Sequence, residues 1–196
     1  VLVGHAAGGA YTRIVAGKNQ DLVCGIVLVD SVHPGQTERL AEVGRVSQQP
    51  SPRMRPLVVL MSRLGIPRRY VGPKPRTLTE ESYAIEQAFL PASSVAWFDE
   101  TVAGTASLEQ AGMINDLGGV PLIVLASSRP AGAAAGLASG ADPQKAWLEL
   151  QRELAELSSN GELRSLPDSG HYIQFDRPDA VIEAIEDVID ECRMGG

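Results

Sequence analysis

Two short, continuously apolar runs constrain the fold of this chain more than any other feature. They are GIVLVD at 25–30 and VPLIVLA at 120–126, and neither alternates polar with apolar residues. A strand that is apolar on both faces is typical of the centre of a parallel sheet, where helices cover each side. The sequence therefore predicts an α/β protein with a parallel sheet and helices on both faces.

The remaining core elements alternate around these two runs. A strand is predicted to end at 1–3, and a helix follows over 7–16 and ends at Gly17. A later helix begins at Asp142-Pro143, because a short polar side chain before a proline is typical of a helix start. The pattern also predicts a flexible stretch at 131–140, a strand at 162–166 and a final amphipathic helix from about Pro178.

The middle of the chain interrupts the alternation of strands and helices. It contains repeated prolines between short helical pieces, with helices predicted at 57–66, 80–90 and 94–104. We therefore predict an α/β core formed by 1–36 and 119–196, with 37–118 as a helical insertion.

Composition excludes several classes of partner. The formal net charge of −7 argues against nucleic acid and anionic membranes, which require basic patches. The apolar runs are too short to cross a bilayer. Cys24 and Cys192 lack metal-ligand spacing, so we expect no metal and no cofactor, with Cys24 a small buried core residue. A reducing, cytoplasmic location is the expectation that follows.

The opening VLVGHAAGG has the form of a nucleophile elbow without its nucleophile. Gly4 and Gly8 stand two residues before and two after Ala6, where side chains are expected to collide in so tight a turn. The helix that begins directly afterwards would offer free N–H groups to an oxyanion, the first of them on Ala7.

Two other interpretations of this turn remain. It is a glycine-rich strand-to-helix turn without chemistry, or it is a dinucleotide-binding loop with Asp30 as the ribose-binding carboxylate. Against the second, Ala6 occupies the position where the G-x-G-x-x-G fingerprint needs its second glycine.

A histidine near the end of the chain favours acyl-transfer chemistry. His171 lies in DSGHYIQFDRP, between the last predicted strand and the last helix. Because the carboxyl ends of parallel strands lie at one edge of the sheet, a base there could reach the elbow. His33 and Asp168 are expected to be turn residues.

Three segments together resemble the α/β-hydrolase fold superfamily: VLVGHAAGGAYTRIVAG, GIVLVDSVHPGQ and SGHYIQFDRPDAVIEAI. More narrowly, they resemble bacterial hydrolases in which VGHSxGG and SGHxIxxxxP bracket a helical cap. The resemblance covers essentially all of this chain and the second half of the family's domain, so the chain is expected to be a fragment. The first strand would then be an exposed sheet edge. We therefore expect the chain alone to be poorly soluble or to pair with another chain along that edge.

The resemblance implies a role for each motif residue. Ala6 takes the nucleophile's position, His171 that of the base and the Ala7 N–H that of an oxyanion donor. Asp30 is favoured as the acid over Asp142, which has a structural role as helix N-cap. Residues 37–118 resemble the cap, where Trp97 and Phe98 either line the substrate pocket or pack within the cap.

An alanine methyl cannot attack a carbonyl, so a hydrolase of ester or amide-like bonds with this sequence is expected to be close to inert. The alternative is a non-catalytic protein that binds a small apolar ligand on the same fold. Three explanations of Ala6 stay open: an engineered substitution that traps substrate, a natural residue of such a ligand-binding protein, or part of a degenerate or incompletely recorded reading frame.

Overall fold

The computed structural model describes residues 1–42, 50–69, 74, 78–129 and 142–194. The stretch predicted to be flexible at 131–140 lies outside the described residues. Among the described residues, short 3-10 turns occur at Gln20–Leu22, Pro52–Met54 and Ile66–Arg69. The strands and longer helices follow in the order β1 (Leu2–His5), α1 (Ala7–Lys18), β2 (Ile26–Val29), α2 (Gln36–Glu42), α3 (Arg55–Arg63), α4 (Glu80–Gly112), β3 (Leu122–Arg129), α5 (Pro143–Ala155), β4 (Gly161–Gly170), α6 (Ile173–Asp176) and α7 (Pro178–Met194).

The strands form one parallel sheet in the order β1-β2-β3-β4. The register aligns Leu2 with Ile26 and Ile26 with Leu122, so the strands point the same way and end at one edge of the sheet. The two apolar runs supply the two inner strands, and every residue of β2 is buried. The predicted α/β class with a parallel sheet is confirmed.

Helices cover both faces of the sheet. Alternate residues of β2 point to opposite sides, so Leu28 and Val29 enter different clusters. Leu28 packs in the cluster that includes Ala16 of α1 and Leu154 of α5. Val29 packs in the cluster that includes Val188 of α7. Fully burying one such side chain stabilises the fold by about 1.5–3 kcal/mol, so the two layers fix the orientation of the sheet.

The last strand is longer than the sequence predicts. The prediction ended it at 166 with a turn after it, whereas β4 runs to Gly170. Ser127 pairs with Leu166 and Arg129 pairs with Gly170, so residues 167–169 bulge out opposite a single residue of β3. A bulge accommodates Pro167, which has no N–H to donate to a ladder.

The chain divides into two compact units, Val1–Ser47 with Ser107–Gly196, and Gln48–Ala106. The larger unit contains the sheet, and the smaller contains α3 and most of α4. That the insertion acts as a cap stays a prediction. Within the described parts of the chain, no helix combines the length and apolar character needed to cross a bilayer.

The helices predicted at 80–90 and 94–104 are a single helix, α4, which continues through Pro91. A proline inside a helix leaves the carbonyl four residues earlier without its donor and usually ends or kinks the helix. Here Arg68 supplies replacement donors, from Nε to the Gln87 carbonyl at 3.1 Å and from Nη2 to the Ala88 carbonyl at 3.2 Å. Ser62 donates to the carbonyl of Pro91 itself.

The expectation that Cys24 is a buried core residue is wrong. Cys24 is exposed and forms a disulfide with Cys192, with their Cα atoms 5.5 Å apart. β2 begins at Ile26, so Val23 and Gly25 turn inward while the side chain between them turns outward. Because disulfides persist mainly in oxidising compartments, this bridge does not support the cytoplasmic prediction.

Candidate active site

Three of the residues singled out in the sequence follow the carboxyl ends of strands. Ala6 comes directly after β1, Asp30 after β2 and His171 after β4. Loops at this edge of an open parallel sheet are where functional groups gather. The fold therefore brings the three loops to the same edge, although they are far apart in the sequence.

Asp30 and His171 form a direct hydrogen bond. His171 Nδ1 lies 2.7 Å from Asp30 Oδ2, and the Asp30 side chain is fully buried. A carboxylate oxygen only accepts, so Nδ1 carries the proton and donates it. In neutral His171 the other ring nitrogen, Nε2, is then the acceptor. The pair has the arrangement of a base that is oriented by an acid.

The second oxygen of Asp30 is also occupied. Oδ1 accepts from the backbone N–H of Ser127 at 2.9 Å and from the indole Nε1–H of Trp147 at 2.9 Å. These hydrogen bonds are the compensation that a buried carboxylate requires. Trp147 lies on the apolar stripe of α5, formed by Trp147, Leu150 and Leu154, so its spacing in the sequence predicts a core residue and not a functional one. The available signal was that it is the member of that stripe with a polar N–H.

Ala6 sits in a strained backbone conformation between β1 and α1, with φ 50° and ψ −120°. A positive φ is costly for a residue with a Cβ, and such strain is concentrated at functional sites. The Ala6 N–H donates to Val29 at 3.1 Å, and its carbonyl accepts from Gly9 and Val32, each at 3.1 Å. Ala7 is the first residue of α1, where N–H groups have no partner within the helix.

The glycines around Ala6 do not all serve the same purpose. At Gly4 a Cβ would lie 2.6 Å from the Gly8 carbonyl oxygen and 2.5 Å from Thr12 Oγ1. At Gly8, where a collision was also expected, a Cβ would meet nothing within 4 Å. The second tight position is Gly9, where a Cβ would lie 2.0 Å from Ser31 Oγ. The elbow's steric requirement for glycine therefore falls on Gly4 and Gly9, and not on Gly8.

His5 connects the elbow to the histidine loop. Its Nε2–H donates to the carbonyl of His171 at 2.9 Å, and the two rings lie 4.7 Å apart. Burial lowers the pKa of His5, against the opposing effect of its hydrogen bond to His171, so the neutral form is favoured. Sequence reasoning did not single out His5. Its position next to Ala6 was the signal that could have identified it.

The bulge in β4 sets the position of His171. Ser169 Oγ donates to the carbonyl of Leu166 at 3.0 Å, and the Gly170 N–H donates to Asp176 Oδ2 at 2.7 Å. These contacts fold the loop over the end of the strand and direct the next residue toward Asp30. Asp168 is exposed on the bulge.

Two other residues considered in the sequence make hydrogen bonds outside this pair. Asp142 caps α5, with Oδ1 accepting from the Gln144 N–H at 2.9 Å. His33 accepts from the Gly35 N–H at 3.0 Å. Burial lowers the pKa of His33, against the opposing charge of Glu153.

The two aromatic candidates of the insertion differ in exposure. The Trp97 side chain is 66% exposed and Phe98 is 4% exposed. Both lie in α4, and their role in a pocket stays a prediction.

The dinucleotide alternative does not fit the geometry. Asp30 is 0% exposed, and both of its oxygens are hydrogen-bonded to protein groups, so the carboxylate is not available to a ribose. Within the described ranges, no cluster of three or more metal-ligating side chains occurs.

Comparisons with known proteins agree with this architecture. A family model described as the alpha/beta hydrolase family matches residues 1–184. The solved structure of DBJA superposes with a TM-score of 0.64 at 13% identity, covering 98% of this chain and 68% of that one. The haloalkane dehalogenase DatA from Agrobacterium tumefaciens C58 gives 0.60 at 17% identity, covering 97% and 66%.

A third solved structure is a serine-to-alanine variant of N-formylmaleamic acid deformylase from Pseudomonas putida S16. It gives a TM-score of 0.55 at 17% identity, covering 94% of this chain and 66% of that one. This chain therefore spans about two thirds of the length of each of the three structures. No curated protein sequence gives a significant match.

Proposed function

Because this chain belongs to the alpha/beta hydrolase family, we propose that Asp30 and His171 are the acid and base of a hydrolase of ester or amide-like bonds, with Ala6 in the nucleophile's position. One observation carries the proposal. It is the 2.7 Å hydrogen bond from His171 Nδ1 to a fully buried carboxylate, at the same edge of the sheet as Ala6.

Under this proposal, each group has a task when a serine stands at position 6. The hydroxyl oxygen attacks the substrate carbonyl carbon while its proton passes to His171 Nε2. The Ala7 N–H stabilises the oxyanion, and Asp30 stabilises the imidazolium through Nδ1. His171 then gives the proton to the leaving group, and a water molecule completes the hydrolysis of the acyl intermediate.

Ala6 stops this sequence at its first step. A methyl group has neither a lone pair to attack with nor a proton for His171 to accept. Removal of a serine nucleophile lowers turnover by about 10⁶-fold in a serine protease, and we expect a loss of similar order here. Under this proposal, the chain with Ala6 retains the acid–base pair but lacks a nucleophile.

The test is to restore the hydroxyl with Ala6→Ser and treat the chain with a fluorophosphonate probe. We expect one covalent adduct at position 6, detected by intact mass and peptide mapping. The unchanged chain provides the blank and is expected to remain unlabelled.

A matched pair of histidine variants shows whether His171 is the base. A general base contributes about 10²–10⁴-fold to rate, so His171→Gln in the Ala6→Ser background should slow labelling at least about 100-fold. His33→Gln, which removes a histidine engaged elsewhere, should leave the rate unchanged. A folded Ala6→Ser chain that resists the probe, or one labelled equally fast without His171, overturns the proposal.

Ala6 itself favours a second candidate, a protein that binds a small apolar ligand without turnover. The elbow keeps its strained backbone although the residue in it cannot react. A ligand that binds only the folded state raises stability by RT ln(1 + [L]/Kd). Under this alternative, p-nitrophenyl butyrate should raise the melting temperature of the Ala6 chain, and Ala6→Ser should remain unlabelled.

A further inference from the structure

The Asp30 carboxylate is held by donors from two different elements. Ser127 belongs to β3 and donates its backbone N–H, whereas Trp147 belongs to α5 and donates its indole N–H. Both bonds end on Oδ1 and both measure 2.9 Å. Only Oδ2 is directed at His171, at 2.7 Å. The two oxygens therefore have separate tasks.

This division matters because the last torsion of an aspartate side chain is soft. Rotation about the bond to the carboxyl group is weakly restrained and roughly two-fold, so packing alone does not fix the plane of the oxygens. Two donors from separate elements do fix it, since a rotation would break both bonds at once. In a fully buried site no bulk water replaces a lost bond.

Trp147 contributes more here than apolar burial. The other members of its stripe, Leu150 and Leu154, are buried without any polar atom in their side chains. Trp147 is 6% exposed, and its N–H is directed at the carboxylate that faces His171. A buried indole N–H generally requires a partner, and in this fold the partner is a charged one.

We propose that Trp147 is a positioning residue, a role that rests on the proposed function. Its indole N–H holds Asp30 so that Oδ2 keeps the His171 ring oriented and protonated on Nδ1, with Nε2 as the acceptor. Trp147 touches neither substrate nor nucleophile in this role and acts only through Asp30.

The first measurement uses the unchanged chain and needs no activity. The protein has two tryptophans, Trp97 and Trp147, so their indole N–H signals in a ¹⁵N-labelled sample are assigned with one variant each. Trp97 is 66% exposed and serves as the internal reference. We expect the Trp147 N–H to exchange with solvent at least about 100-fold more slowly. Equal exchange rates overturn the proposal.

The second measurement asks whether the indole controls His171. Trp147→Phe keeps an aromatic ring but removes the N–H, and ring ¹⁵N shifts report which nitrogen of His171 carries the proton. We expect a single Nδ1–H form in the unchanged chain and a mixture of the two tautomers in the variant. Leu154→Val, two turns along the same helix, alters packing without removing a donor and should retain the single form. An unchanged His171 in folded Trp147→Phe overturns the proposal.

The third measurement separates this inference from the proposed function. In the Ala6→Ser background with p-nitrophenyl acetate, we expect Trp147→Phe to lower kcat about 10- to 100-fold with KM unchanged. That is the effect of losing one hydrogen bond to a charged group. If Ala6→Ser shows no turnover while the tautomer change is observed, the proposed function fails and the positioning role stands. If Ala6→Ser turns over substrate but Trp147→Phe leaves the His171 tautomer unchanged, the positioning role fails and the proposed function stands.

Discussion

Removal of the Cys24–Cys192 disulfide should greatly lower the free energy of unfolding. The two cysteines are separated by 168 positions, so the bridge closes a loop that contains most of the chain. In the chain-entropy model, a loop of this length stabilises the folded state by about 5 kcal/mol relative to the uncrosslinked chain. In a domain of this size that corresponds to a fall of roughly 10–20 °C in melting temperature.

The structure shows which elements the disulfide joins and which packing remains when it is reduced. The bridge fastens the last turns of α7 to the segment that leads into β2, next to Gly25. A Cβ at Gly25 would lie 2.2 Å from Val188 Cγ1, so helix and strand are in close contact there. Reduction leaves this packing in place and removes only the covalent constraint, so the folded structure should persist at low temperature.

The assay is urea unfolding with and without a reductant, followed by circular dichroism. The variant Cys24→Ser/Cys192→Ser should unfold at the lower midpoint under both conditions, which separates loss of the bridge from other effects of the reductant. Iodoacetamide should label the native chain only after reduction. The reasoning is refuted if both thiols react without reduction, or if complete reduction leaves the midpoint unchanged.

Two further predictions concern the elbow and the histidines. Ala6→Gly should raise the free energy of unfolding by about 1 kcal/mol, because relief of about 1–3 kcal/mol of strain exceeds glycine's entropic cost of about 0.5–1 kcal/mol. Gly4→Ala should lower the free energy of unfolding by about 1–3 kcal/mol, because its Cβ would clash with the Gly8 carbonyl. Urea midpoints that shift in the same direction for Ala6→Gly and Gly4→Ala would contradict this account. Stability should also fall as the pH is lowered from about 7 to 5.5. Burial lowers the pKa of His5 and His33, so in this window the unfolded chain binds protons that the folded chain does not. The contribution of the two neutral histidines to the free energy of unfolding is therefore complete only above about pH 6.5. Urea midpoints at the two pH values test this, and the double variant His5→Asn/His33→Asn should show a weaker dependence.

Much of the core could be predicted because its signals are local. The continuous apolar run at 26–29 can be satisfied only between other strands and two helix layers, and it occupies that position. Asp30 and His171 could be placed near one another because the carboxyl ends of parallel strands share an edge. Their hydrogen bond depends in addition on the bulge in β4, which sets the position of His171.

The features that were missed depend on distant contacts. Pro91 ends a helix in any local analysis, and the donors that compensate for it come from Arg68, which is remote in sequence. The extension of β4 depends on pairing with β3, and the outward position of Cys24 on where β2 begins. Periodicity alone places Trp147 in the core beside Leu150 and Leu154. Periodicity does not register that one atom of its ring is a donor facing a buried charge.

The backbone strain at the candidate site shows whether the turn is still built for a side chain at position 6. Among the described residues, the non-glycine positions with positive φ are Ala6 at 50° and Asp30 at 43°, and both lie at the candidate site. At Ala6 the conformation is imposed by its surroundings. Its N–H and carbonyl are hydrogen-bonded to the strand and loop beside it, and the adjacent turn packs against Gly4. Glycine would relieve this strain, whereas alanine keeps a Cβ directed as a serine's would be. The elbow therefore remains shaped for a side chain at position 6, and a hydroxyl placed there by Ala6→Ser should need no rearrangement of the backbone.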